Sequence, residues 1–190
     1  MIAIFDYGAG NLRSVQNALD AIGCAYQLVR DSDGLRQADK IILPGVGHFG
    51  QMMRALDDLG VRETLLDRIQ AQVPFFGICL GMQALFESSE EAPEVRGLGL
   101  FPGVVQRFKE GIRVPHMGWD QCETKAGQSP YYYFAHSYYV PEVPNFATEV
   151  CTYGVRFTAS LRSANVRGVQ YHPEKSAAAG AQVLKSFVTC

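Results

Sequence analysis

The chain has no apolar run long enough to cross a membrane, no C-x-x-C pair and no surplus of basic charge. Each absence removes a class of function. A bilayer core requires about 20 consecutive apolar residues, so no membrane span is expected. With 17 Lys and Arg against 19 Asp and Glu, the formal charge is −2, which argues against a broad nucleic-acid-binding face. The five cysteines, Cys24, Cys79, Cys122, Cys151 and Cys190, are odd in number and irregular in spacing. That pattern fits a reducing compartment better than a disulfide framework. The four histidines, His48, His116, His136 and His172, show no zinc spacing with them, so neither metal nor cofactor is expected. Residues 1–6 lack the basic region of a signal peptide and read as a strand. The expected compartment is the cytoplasm.

What is present fits one domain, residues 1–190, long enough for a sizeable core. In the first half, short apolar runs at 2–5, 26–29, 40–43 and 75–78 read as strands. Leu12, Val15, Leu19 and Ile22 recur at helical spacing between the first two, with Gly23 as a stop. Helical patterns return at 52–59 and 65–69. Residues 82–86 read as the start of a helix behind the fourth strand, and 87–94 as an acidic surface loop. Strands alternating with helices predict a parallel α/β sheet. The second half reads as strands at 104–108, 131–134, 138–140, 148–153, 157–161 and 166–171, then an amphipathic helix over 177–188. The expected fold is α/β: a mostly parallel central sheet flanked by helices, with antiparallel strands added in the C-terminal half.

Gly77-Ile78-Cys79-Leu80-Gly81, directly after the apolar Phe75-Phe76, carries the chemistry. A nucleophile with a glycine two residues away on each side marks a sharp strand-to-helix turn that presents the side chain in a strained, exposed position. A helix N-terminus there favours the thiolate. A cysteine nucleophile needs a base and a group to orient it. His172, between the apolar 169–171 segment and Pro173, is the best-placed base. Glu174 at i+2 projects to the same side in extended chain and can fix the tautomer. The competing view of His-Pro-Glu is a polar loop leaving the sheet. His48, His116 and His136 have no carboxylate at i+2. Pro44-Gly45-Val46-Gly47 follows the third strand, where ligands of open α/β sheets bind. Its N–H groups, with that of Leu80, could form an oxyanion hole. Gly8-Ala9-Gly10 imitates a dinucleotide fingerprint, but Arg13 occupies the third glycine position.

Taken together, the G-x-C-x-G elbow, the later H-P-E and the glycine loop, in this order, resemble the class I (triad) glutamine amidotransferases, over essentially the whole chain. The resemblance implies that Cys79, His172 and Glu174 form a catalytic triad acting on L-glutamine. It implies that Gln83 and Glu91, with the His136–Ser137 backbone, hold the amino-acid end of that substrate. More narrowly, Asp6-Tyr7-Gly8-Ala9-Gly10-Asn11-Leu12, Pro115-His116-Met117-Gly118-Trp119 and His172-Pro173-Glu174-Lys175-Ser176 are similar to the branch serving imidazole glycerol phosphate synthases. That branch implies histidine biosynthesis and a (β/α)8-barrel cyclase subunit as partner in a heterodimer, with Asn11, Trp119 and Lys175 as interface candidates. Relatives there commonly carry Asn where this chain has Asp120. A paralogue feeding ammonia to another synthase, as in surface-sugar biosynthesis, would share every catalytic residue.

Overall fold

Residues 2–5 contain no polar side chain, and Ala3, Ile4 and Phe5 are fully buried between two helical layers. This is the sequence signature of a strand covered on both faces. The computed structural model describes residues 1–9 and 11–190; Gly10 lies outside the described residues. In chain order the elements are β1 (Ile2–Phe5), α1 (Leu12–Ala21), β2 (Tyr26–Val29), α2 (Ser32–Arg36), β3 (Lys40–Gly45), α3 (Phe49–Asp58), α4 (Arg62–Gln70), β4 (Phe75–Cys79) and α5 (Leu80–Gln83). There follow β5 (Phe86–Ser89), β6 (Phe101–Arg107), β7 (His116–Thr124), β8 (Tyr131–His136), β9 (Tyr138–Tyr139), β10 (Ala147–Tyr153), β11 (Val155–Ser163) and β12 (Val166–Val169). A 3-10 turn (Pro173–Lys175) and α6 (Ala177–Val188) complete the chain.

Nine strands form one sheet in the order β2-β1-β3-β4-β12-β11-β10-β7-β8. The five from β2 to β12 run parallel, and each pairing from β12 to β8 is antiparallel. A smaller sheet, β5-β6-β9, lies beside it. The alternation of strand side chains divides the core in two. Ala3, Phe5, Ile41, Leu43 and Phe75 pack with α3, α4 and the small sheet. Ile4, Ile42, Phe76 and Ile78 pack with α1, α6 and the C-terminal strands. No helix among the described residues is long and apolar enough to cross a membrane.

The α/β architecture and the final helix follow the expectation, but three local readings do not. The helix behind Cys79 is only the four residues of α5, and residues 86–89 form β5 instead of continuing it into a loop. Residues 90–94 are the expected surface turns, and two exposed acidic side chains reach β6: Glu87 Oε2 accepts from Gly103 N–H (2.8 Å) and Glu90 Oε2 from Arg107 N–H (2.8 Å). Strand β7 was not legible, because its alternation is inverted. His116 and Cys122 point inward while Met117 and Trp119 are exposed. The short helix α2 also carried too few apolar positions to register.

The C-terminal edge of β1, β3 and β4 is one place. Tyr7, Val46 and Cys79 meet there, and the 3-10 turn after β12 arrives beside them, held by α6. A methyl group on Gly180 of α6 would lie 1.9 Å from the Pro173 carbonyl oxygen. Gly180→Ala must therefore push α6 off that turn. The expected loss is about 1–3 kcal/mol, read by chemical denaturation; an unchanged midpoint would show that α6 does not fix the turn.

Candidate active site

Cys79 ends β4 with φ +53° and ψ −107°, a left-handed conformation that costs a non-glycine residue energy. The elbow is tight because Gly77 and Gly81 let backbones touch: a Cβ on Gly81 would lie 1.9 Å from Leu43 O, and one on Gly77 2.5 Å from Gly81 O. The turn breaks the alternation of β4, so that Cys79 groups with Phe76 and Ile78 rather than with Phe75. The strain matches the expectation; the exposure does not. The thiol is 5% exposed and faces a cavity instead of open solvent. A four-residue α5 also offers a far smaller helix dipole than a full helix. Charge support must come from elsewhere.

It comes from His172. Its Nδ1 lies 2.7 Å from Glu174 Oε1, and both side chains are almost wholly buried. A 3-10 turn, not extended chain, brings the carboxylate back to the ring. The backbone of His172 is fixed independently. Its N–H donates to Tyr133 O (2.8 Å), while Ser176 Oγ donates to His172 O (2.6 Å) and accepts from Tyr133 N–H (2.9 Å). Burial alone would lower the imidazole pKa, but Cys79 and Glu174 together outweigh it and push it up to about 10. The arrangement stores a proton on His172 beside the sulfur, with Glu174 taking Nδ1–H so that Nε2 is left for chemistry.

The cavity next to Cys79 measures about 280 Å³ and is walled by Val46, Gly47, Leu80, Gln83, Glu91, His136 and Ser137. All seven were expected in the site. Gly45 lies behind it, in a shallow cleft shared with Asn11, His172 and Glu174. Gln83 is buried, not solvent-facing: its Nε2 donates to Tyr138 O (2.9 Å) and Gln170 Oε1 (3.0 Å), which leaves its own carbonyl oxygen free. Glu91 Oε2 accepts from Phe49 N–H (2.7 Å) at the start of α3. His136 Nδ1 bonds Tyr138 O (2.7 Å). Pro115, Met117 and Tyr138 also line the cavity. Gln170, whose Nε2 reaches Cys79 Sγ at 3.6 Å, was not foreseen; a buried glutamine two residues before the base was the only available signal.

Within the glycine loop, the Val46 peptide is already engaged. Tyr7 hydroxyl donates to Val46 O (3.2 Å) and accepts from Val46 N–H (3.3 Å). Burial pushes its phenol up to about 12, so the hydroxyl stays neutral and can do both. Of the interface candidates, Trp119 (53% exposed) and Lys175 both contact the Tyr133 ring, edge-on at 6.2 Å and over its face at 5.6 Å. Asn11 instead caps α1 through Ser14 N–H (3.4 Å). Among the described residues, no three His, Cys, Asp or Glu side chains are grouped to hold a metal ion. A second cavity of about 310 Å³, walled by Glu149, Arg162 and Arg167, contains neither cysteine nor histidine.

Known proteins resemble this chain from end to end. A family model described as glutamine amidotransferase class-I matches residues 3–189. Imidazole glycerol phosphate synthase subunit HisH of Methanothermobacter thermautotrophicus is 46% identical, over 99% of this chain and 98% of that protein. Subunit HisH of Thermus thermophilus is also 46% identical, over 95% and 93%. Imidazole glycerol phosphate synthase hisHF, chloroplastic, of Arabidopsis thaliana is 42% identical over 99% of this chain, which spans 34% of that longer protein. A solved glutamine amidotransferase superposes with a TM-score of 0.81, at 19% identity, over 99% of this chain and 97% of that one. That likeness speaks for the fold.

An imidazole raised from 6.5 to about 10 stabilises the fold fully below 6.5 and ceases to do so as pH rises through about 10. Denaturation midpoints should therefore fall between these values in the wild type and fall less in Glu174→Gln. Parallel curves for the two proteins would contradict the ion pair.

Proposed function

The chain belongs to the class-I glutamine amidotransferase family, and from that premise we propose that Cys79, His172 and Glu174 are the triad that hydrolyses L-glutamine to glutamate and ammonia. The observation that carries this is the buried His172–Glu174 bond of 2.7 Å beside a cysteine on a strained elbow. Cys79 sulfur attacks the side-chain amide carbon. As the tetrahedral adduct collapses, the C–N bond breaks and His172 gives its proton to the leaving nitrogen. Water, deprotonated by His172, then attacks the thioester and releases glutamate. Glu174 keeps the ring oriented throughout. The free carbonyl of Gln83 and the uncommitted oxygen of Glu91 suit the substrate's ammonium group, and the His136–Ser137 backbone completes that end of the pocket.

The chain is the glutaminase subunit of an imidazole glycerol phosphate synthase and serves histidine biosynthesis. Its ammonia goes to the cyclase partner, which makes imidazole glycerol phosphate and AICAR. We assign that partner a (β/α)8-barrel, docked on the exposed Trp119–Tyr133–Lys175 surface and the Asn11 loop. Five free cysteines, one of them a nucleophile, suit a reducing compartment, and we place the enzyme in the cytoplasm.

Coexpression with the cyclase tests the reading. Cys79→Ala should abolish glutamine-dependent synthesis and spare synthesis from ammonium salts; survival of the glutamine reaction would remove Cys79 from its role. Activation of turnover only by a different synthase would reassign the chain to a paralogous pathway.

Tyr7 supports a further expectation, that the isolated subunit is a poor glutaminase. Its hydroxyl occupies the Val46 N–H that an oxyanion would need, and one such donor is worth about a hundredfold in rate. Tyr7→Phe frees that amide. Basal turnover of the isolated subunit should rise by up to about a hundredfold, and an unchanged or lower kcat would refute the latch.

A further inference from the structure

Asp120, His116 and His136 form a chain of hydrogen bonds that runs from the half-buried Asp120, on the inward face of β7, to the wall of the glutamine pocket. Asp120 Oδ2 lies 3.1 Å from His116 Nε2. His116 Nδ1 lies 3.1 Å from His136 Nε2, and His136 Nδ1 lies 2.7 Å from Tyr138 O. The chain continues inward, since Tyr138 O also accepts from Gln83, Gln83 donates to Gln170, and Gln170 reaches Cys79 Sγ.

Donor and acceptor accounting fixes the protons. Tyr138 O can only accept, so His136 Nδ1 carries hydrogen. His136 is enclosed by Phe108, Phe134 and Phe157, and so is held neutral. Its Nε2 is therefore a lone pair, and His116 Nδ1 must donate to it. His116 Nε2 then faces a carboxylate oxygen. Two lone pairs cannot form that last bond. An additional proton must sit between them, on His116 as an imidazolium or on Asp120. The His116 ring is stacked between Tyr153 (3.9 Å between centroids) and Phe134 (4.6 Å), and aromatic faces favour the cationic form.

We propose that Asp120 and His116 share this proton to hold His136 and the Tyr138 carbonyl in place, which makes them positioning residues for glutamine binding. The inference rests on the glutaminase reading for its kinetic consequence alone. When the proton leaves, one bond of the chain must break. Either His116 Nε2 repels the carboxylate, or the ring changes tautomer and turns a lone pair toward His136.

The groups facing His116 are few. On its own strand there is Asp120; β8 contributes His136, with His172 beyond it; β10 contributes Tyr153, whose hydroxyl donates to Arg113 O (2.9 Å). Strand β11 and the segment after β6 contribute only Phe157 and Phe108. Burial pulls His116 below the ordinary imidazole value and Asp120 draws it back up. The proton is therefore held at acid pH and lost as pH rises.

The test uses the subunit in complex with its cyclase, from about pH 5 to about pH 9. KM for glutamine should rise about fivefold across that range as one bond is lost. Asp120→Asn can donate its amide N–H to a neutral His116, closing the chain without an additional proton, and should flatten the profile. An independent readout is nitrogen NMR of imidazole-labelled protein. His116 should show two protonated nitrogens at the acid end and one at the alkaline end, and Asp120→Asn should shift that loss down by at least about one pH unit. An identical His116 titration in the two proteins would overturn the proposal. So would an unaltered KM profile in Asp120→Asn. If glutamine turnover itself were missing, the NMR titration would still decide the proton, and only the functional reading would fall.

Discussion

Gly81 approaches Leu43 so closely that no side chain fits between them. That contact fixes α5 against β3 and forces Cys79 into its left-handed turn. The rest of the site is arranged around the result. With the turn in place, the thiol leaves the alternation of β4 and faces the cavity, the Gly45–Gly47 loop passes on one side, and the end of β12 delivers His172 on the other. A larger residue at 81 would lose more than packing energy, because the nucleophile's direction is a consequence of that missing side chain.

The charge in the site is supplied by side chains rather than by secondary structure. The helix behind the thiol is a single turn, so its dipole is small. The buried His172–Glu174 pair supplies the field instead. Its worth rises because the pair is buried, and it persists because two hydrogen bonds hold the backbone of His172 independently of its ring, with Ser176 Oγ in turn bonded to Tyr133 N–H.

The residues of the proposed triad, the glycine loop and most of those lining the cavity could be singled out because they fall in short local patterns. Glycines at fixed offsets from Cys79, and a carboxylate two residues from His172, declare themselves in the chain. The parallel half was equally legible, since its strands are continuous apolar runs. Strand β7 was not, because its inward residues are polar and its outward ones are Met117 and Trp119. Its polar interior makes sense only once His116 is seen bonded to His136 on the neighbouring strand, and sequence spacing carries no trace of that partner. Residues 86–89 failed for the same reason. Their acidic side chains are indeed exposed, but Glu87 and Glu90 also accept from backbone groups of β6, in a pairing across a loop. Tyr7 and Gln170 act through contacts with residues far along the chain, so neither could be read locally.

The clamp made by Ser176 has a mechanical consequence. It ties the backbone of His172 to Tyr133 on β8, an edge strand with no further strand beside it. The same Tyr133 presents its ring between Trp119 and Lys175 at the surface. One peptide segment is thus gripped from inside by the proton carrier and offered outside to whatever docks there. Those bonds connect the strand to the imidazole-bearing backbone by a path that does not cross the cavity. The edge of the sheet is therefore tied by backbone bonds directly to the residue that carries the imidazole.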